Sequence, residues 1–163
     1  MNFIYRYLKK KHPFEFSKIS EQLFVAAWPT GENYEMINSL GVRLVINMDW
    51  VPVDKMLSQL PLRVLSLKEI DSPFTPMKMA NLWKGVEIAQ KTIKSGEGVM
   101  VYCKGGVHRS VVMACCILIS QGYYAEDAMA LVKERRPIAD PYKDHFKSRI
   151  LAFEGEWKIR YGS

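Results

Sequence analysis

Cysteine is scarce in this chain of 163 residues: there are three, at positions 103, 115 and 116, two of them adjacent. An odd set with that spacing builds neither a disulfide framework nor a zinc site, which points to a reducing, cytoplasmic compartment. Histidine is equally sparse. His12, His108 and His145 are too scattered to form a metal set, and His12 and His145 read as surface residues. No apolar run reaches the length of a membrane span, and the opening MNFIYRYLKKKHP lacks the order of a secretory signal, in which charge precedes an apolar core and then small residues. Repeats and low-complexity tracts are missing, and the prolines are dispersed rather than gathered into a linker. These absences leave a soluble chain with one domain.

Acidic residues are outnumbered, 17 Asp and Glu against 23 Lys and Arg, for a net charge of +6. That balance favours anionic partners such as phosphorylated molecules, nucleic acid or acidic membrane surfaces, and does not choose among them. The tract RYLKKKH at 6–12 reads as a solvated end, so the expected organisation is a basic segment at 1–13 ahead of a domain at 14–163. With 48% hydrophobic and 25% charged residues, the domain has enough interior to fold without staples.

Periodicity orders the chain as alternating strands and helices. ISEQLFVAA at 19–27 predicts a strand, WPTGEN a turn into a helix near 32–40 that Gly41 ends, and VRLVINM at 42–48 a buried strand. LRVLSLKEI at 62–70 predicts another strand, followed by DSPFTP, whose two prolines hold a loop carrying Asp71. A helix over 78–94 places Met79, Leu82, Val86, Ile88, Ala89 and Ile93 largely on one face, and SGEG ends it before the strand VMVYC. SVVMACCILIS is apolar nearly all round and predicts a central buried helix. AEDAMALVKERRP gives an amphipathic helix stopped by Pro137, and a last helix runs from about 142 to 158. The expected fold is α/β: a single domain with a central, mostly parallel twisted sheet of four to five strands, flanked by helices on both faces.

The chemistry concentrates in VYCKGGVHRS at 101–110. A buried strand leading through a glycine-rich turn into a helix N-terminus makes an anion cradle, because converging backbone N–H groups and the helix dipole both favour negative charge. Gly105 and Gly106 suit the tight or positive-φ backbone this needs. Arg109 offers a planar fork for two phosphate oxygens. Cys103 lies at the floor, where the field that binds an anion also favours thiolate over thiol and makes a nucleophile. Asp71 can give the leaving oxygen its proton and later take one from the attacking water, with Asp49 and Asp54 as rival acids. Cys115 and Cys116 sit about six residues into the helix, roughly 9 Å along its axis, too far to bridge to Cys103 and better read as core.

The run Cys103-Lys104-Gly105-Gly106-Val107-His108-Arg109-Ser110 resembles the C-x5-R-[ST] signature of cysteine-dependent protein tyrosine and dual-specificity phosphatases, and Asp71 stands 32 residues upstream, where that family has an aspartate on a mobile loop. The likeness extends to ISEQLFVAA, VRLVINM and RRPIADPYKDHF, about residues 14–158. It implies Cys103 as nucleophile, Arg109 as phosphoryl clamp, Asp71 as general acid/base and Ser110 as hydrogen-bond partner of the leaving thiolate. Lys104, Gly105, Gly106, Val107, His108 and Arg109 would bind substrate. It implies no metal and no cofactor. The implied substrate is a phosphorylated protein or peptide, phosphotyrosine first and phosphoserine or phosphothreonine also. A phosphoinositide or other small phosphate ester is the alternative, because Lys104 and His108 are two potential cations inside the loop. No stable nucleic-acid partner is expected.

A catalytically weak phospho-dependent binding module and a rhodanese-like sulfurtransferase are competing classes. The first has no use for the thiol and acid together, and the second needs neither Asp71 nor Ser110. Two positions depart from the family pattern: Tyr102 stands where histidine usually precedes the cysteine, and Tyr142 follows Pro141 where many members carry asparagine.

Overall fold

The structure, a computed structural model, describes residues 3–11 and 13–162; His12, read above as a surface residue, lies outside them. The basic N-terminal tract forms helix α1 (Phe3–Lys11), with Phe3, Ile4, Arg6, Tyr7 and Lys10 exposed. Then come strands β1 (Phe16–Lys18) and β2 (Leu23–Ala26), helix α2 (Tyr34–Ser39), β3 (Val42–Asn47) and β4 (Arg63–Ser66). Helix α3 (Met79–Lys94), strand β5 (Gly98–Tyr102) and helices α4 (Arg109–Ser120), α5 (Ala125–Arg135) and α6 (Asp144–Tyr161) complete the chain. The sheet order is β1-β2-β5-β3-β4, parallel throughout except for the antiparallel β1–β2 edge pair.

The span 19–27 is not one strand. Its polar tripeptide Ser20-Glu21-Gln22 bends between β1 and β2, and both Ile19 N–H and Ser20 N–H donate to the Leu23 carbonyl. The side chain of Gln22 reaches across to the Ile93 and Glu97 carbonyls, which fixes the bend against the end of α3. The strand expected over 62–70 likewise keeps regular pairing only to Ser66, because Lys68 adopts a φ of +52° and turns the chain.

Alternation along each strand divides the core in two. Leu23, Val25, Leu44, Ile46, Val99 and Val101 face α3, α4, α5 and α6, whereas Phe24, Ala26, Val45, Met100 and Tyr102 face Trp28, Ile37, Leu57 and Leu62. Both faces are thus covered, but unequally: the long helices share one side, and the six-residue α2 with two 3-10 turns closes the other. Every residue of α4 from Arg109 to Ile119 is buried, as its apolar sequence requires. Helix α3 begins without a side-chain cap from its own first residue; the buried Glu69 carboxylate accepts from Lys78 N–H at 3.1 Å and from Asn81 Nδ2 at 2.6 Å, and so supplies the negative charge that a helix N-terminus favours.

Cys115 and Cys116 are fully buried and unpaired, and burial pushes both thiols far above the ordinary range. Iodoacetamide at pH 8 is expected to label Cys103 in the native protein and to reach Cys115 and Cys116 only after denaturation. Peptide mapping showing native labelling at either helix cysteine would contradict this packing.

Candidate active site

Strand β5 is the middle strand, with β2 on one side and β3 on the other, and it delivers Cys103 at its carboxyl end; α4 begins six residues later. The intervening loop is oriented by hydrogen bonds from outside it. Trp28 N–H donates to the Lys104 carbonyl at 3.3 Å, and Asp140 N–H donates to the Val107 carbonyl at 2.9 Å. Between them the Arg136 guanidinium donates to the Gly105 carbonyl at 3.2 Å and the Gly106 carbonyl at 2.6 Å. In a planar trans peptide a carbonyl and the next amide point to opposite sides. Holding these four carbonyls from outside therefore turns the amides of Gly105, Gly106, Val107 and His108 inward. Among the described residues none of the four donates to a protein group. The N-terminus of α4 opens onto the same space, so the loop is built for an anion.

Gly106 is the position where glycine is obligatory. Its φ is +65°, and a Cβ there would fall 2.6 Å from Arg136 Nη2 and 2.7 Å from the Ala26 carbonyl oxygen. Arg136 is itself buried and anchored on the other side by Ser17 Oγ at 3.0 Å and by Glu15 Oε1 at 2.9 Å.

Cys103 Sγ lies 3.2 Å from Ser110 Oγ. The Arg109 guanidinium is clamped from behind: Nη1 donates to the Glu69 carbonyl at 2.9 Å, and Asp49 lies 3.4 Å from both Nη1 and Nη2. The turn at Lys68 is what brings that carbonyl to the arginine. Nε of Arg109 is buried with no partner among the described residues, a donor kept ready for an anion. Asp49 and Asp54, the rival acids, are both occupied. Asp49 holds Arg109 and accepts from Trp50 N–H, and Asp54 caps the turn Lys55–Ser58 and accepts from Gly31 N–H.

Asp71, Cys103, Lys104, Gly105, Val107, His108 and Arg109 line one open pocket of about 340 Å³. Asp71 Oδ2 is 2.9 Å from His108 Nδ1. That hydrogen bond holds the Asp71 carboxyl below the usual carboxylate range, aided by the charges of Arg109 and Lys143 and opposed by partial burial. Lys104 is exposed on the rim. Among the described residues no group of three or more His, Cys, Asp or Glu side chains converges in a way that could hold a metal ion.

Both departures from the family pattern have a structural answer. Tyr102 is buried on the helix-poor face and packs edge-to-face on Trp28, with ring centroids 5.7 Å apart. Tyr142 is exposed, and the loop is braced instead by Arg136 and the Asp140 amide. Sequence reasoning missed Arg136, Asp140, Trp28, Glu15 and Glu69. The local signal was faint: one arginine directly before a proline, inside the segment RRPIADPYKDHF.

A cysteine at the foot of an amide cradle, with an arginine and an acid over it at the carboxyl edge of a parallel sheet, defines the cysteine-based phosphatase class. The family model for the dual specificity phosphatase catalytic domain matches residues 23–156, and the chain belongs to that family. It is 32% identical over 79 residues to the Drosophila melanogaster dual specificity protein phosphatase Mpk3, covering 48% of this chain and 19% of that protein. The match to human dual specificity protein phosphatase 8 is 32% over 77 residues, 47% of this chain and 12% of that protein. The chain thus spans under a fifth of the length of these curated relatives.

Among solved structures, PTPMT1 superposes with a TM-score of 0.81 at 24% identity, covering 90% of this chain and 98% of that one. Human DUSP28 superposes with a TM-score of 0.80 at 21% identity, covering 88% and 99%.

Replacing Arg136 tests the brace. Arg136→Met leaves two loop carbonyls without their donor, at about 1–3 kcal/mol per unsatisfied group, and the expected result is a lower urea midpoint. Under native conditions kcat/KM for an aryl phosphate is expected to fall roughly 10- to 100-fold through misplacement of the amides. Unchanged turnover would show that the loop holds its shape alone.

Proposed function

We propose that the protein is a metal-independent phosphomonoester hydrolase that dephosphorylates phosphotyrosine in proteins or peptides, and phosphoserine or phosphothreonine as well, in the cytoplasm. The observation that carries this reading is the Cys103–Ser110 pair at the foot of a loop whose four amides are turned inward. Cys103 Sγ attacks phosphorus in line, the S–P bond forms as the ester P–O bond breaks, and the leaving oxygen takes its proton from Asp71. Water then attacks phosphorus, returns a proton to Asp71, and expels the thiolate, which Ser110 Oγ stabilises by hydrogen bonding. The inward amides and Arg109 hold the equatorial oxygens through both displacements. The cytoplasmic assignment rests on three unpaired thiols, and no helix among the described residues is long and apolar enough to cross a membrane.

A second reading, hydrolysis of a phosphoinositide or another small polyphosphate, draws on Lys104 at the rim and on likeness to PTPMT1, which has been solved in complex with PI(5)P. His108, the other side chain considered for an extra phosphate, is bonded to Asp71, which leaves Lys104 as the loop's rim cation and favours the protein substrate.

Hydrolysis of a small aryl phosphate, with and without vanadate and chelator, tests the reaction class. Activity is expected to survive chelation and to be inhibited by vanadate. Cys103→Ser should abolish turnover while phosphopeptide binding persists, and Asp71→Asn should lower kcat by ~10²–10⁴ and remove the basic limb of the pH profile. Full activity of the Cys103→Ser protein would sink the mechanism. Lys104→Ala is expected to change phosphopeptide kcat/KM less than about tenfold. A much larger loss, with a phosphoinositide turned over faster than the phosphopeptide by the parent protein, would transfer the assignment to the lipid headgroup.

A further inference from the structure

The imidazole of His108 occupies the last loop position before Arg109, oriented by a hydrogen bond and a ring stack, with a more distant carboxylate beside it. Nδ1 is 2.9 Å from Asp71 Oδ2, Nε2 is 3.9 Å from Asp140 Oδ2, and the ring stacks on Phe146 with centroids 4.8 Å apart and planes 13° from parallel. Phe146 is buried in α6 and has His145 on it at 4.1 Å, so it is a firm platform. The charged groups at the ring are Asp71 from the acid loop and Asp140 from the segment after α5, while Arg109 and Lys143 act on Asp71. The acid loop itself is lightly held: Ser72 Oγ accepts from Phe74 N–H at 3.1 Å within the same turn, and Phe74 stands almost fully exposed. The bond from His108 ties Asp71 to the phosphate loop.

We infer that His108 is a positioning residue that holds Asp71 over the phosphate loop and shares with it the proton delivered to the leaving group. The inference rests on the phosphatase reading above. Before the first displacement the pair holds one proton more than a neutral imidazole and a carboxylate do: Nε2 carries its own, and the transferable one lies between Nδ1 and Oδ2. As the S–P bond forms and the ester P–O bond breaks, Asp71 Oδ2 passes that proton to the leaving oxygen, leaving a neutral imidazole and a carboxylate. In the second displacement water bonds to phosphorus, the S–P bond breaks, and the proton of that water returns to the pair. Atoms and charge balance, with no other reactant.

Interacting groups lose a shared proton in a macroscopic step that belongs to the pair. Imidazoles ordinarily titrate between about pH 5 and 8, well above a lone aspartic acid. Removing the ring therefore moves the basic limb of kcat/KM to lower pH.

The test compares the parent protein, His108→Gln and Asp140→Asn, with phenyl phosphate and a dinitrophenyl phosphate as substrates. For His108→Gln the basic limb is expected to fall by at least about one pH unit, with a loss at pH 7 of about tenfold or more on phenyl phosphate and a smaller one on the dinitrophenyl ester, whose leaving group needs no proton. Asp140→Asn removes a half-exposed partner at 3.9 Å and should leave the limb within about 0.3 unit. In parallel, ¹³C NMR of the Asp71 carboxyl should show its titration moving to higher pH in His108→Gln.

Coincident limbs in the parent and His108→Gln overturn the inference, whether or not the carboxyl titration moves. Coincident carboxyl titrations overturn it too, and that measurement needs no turnover. A parent protein that hydrolyses neither ester fails the phosphatase reading instead, while the NMR comparison still decides whether the pair exists.

Discussion

Everything at the candidate site depends on which way four peptide planes face. A loop of small residues between a strand and a helix has no intrinsic reason to aim its amides at one point, and glycine makes the alternatives more accessible. Here the carbonyls of Lys104, Gly105, Gly106 and Val107 are each held from outside, by Trp28 N–H, by Arg136 twice, and by Asp140 N–H. The amides face inward because the peptide is planar. Arg136 can hold two of them because its own far side is satisfied by Ser17 and Glu15. The antiparallel edge strand β1 and the segment after α5 therefore act together on the loop, although neither provides a group that lines the pocket.

The same logic governs Arg109. A guanidinium free to rotate would lose entropy on meeting an anion; this one is already held by Asp49 and the Glu69 carbonyl, with Nε left over. Glu69 links two tasks, since its carbonyl clamps Arg109 while its carboxylate caps α3. The positive φ at Lys68 allows both by turning the chain just after β4. Cys103 is thus set among groups that were oriented before any substrate arrives, which is how electrostatic stabilisation acts without reorganisation.

The sequence made the local features readable. Cys103, Arg109 and Ser110 lie within eight residues, the apolar α4 follows directly, and Asp71 opens a loop held by Pro73 and Pro76, so turn chemistry and the spacing of the family signature made them candidates. Arg136 lies 30 or more residues from the carbonyls it holds and about 120 from Ser17 and Glu15, and in a local window only its place before Pro137 sets it apart from the adjacent Arg135. The pairing of His108 with Asp71 was hidden for the same reason: each residue has an ordinary local reading, and only the tertiary fold puts them 2.9 Å apart. The unequal covering of the two sheet faces was also out of reach, because alternation marks a residue as buried without saying what buries it. The short β1 fell below the length at which a pattern can be seen.

The central claim is that this loop makes Cys103 the nucleophile of a two-step hydrolysis. Rapid acid quench of the protein during turnover of a ³²P-labelled aryl phosphate, followed by peptide mapping, tests it most directly. The expected result is label on the peptide containing Cys103, absent in Cys103→Ser and accumulating more in Asp71→Asn if that change slows breakdown of the intermediate more than its formation. Steady hydrolysis by the parent protein with no label on Cys103 at any quench time would contradict the account.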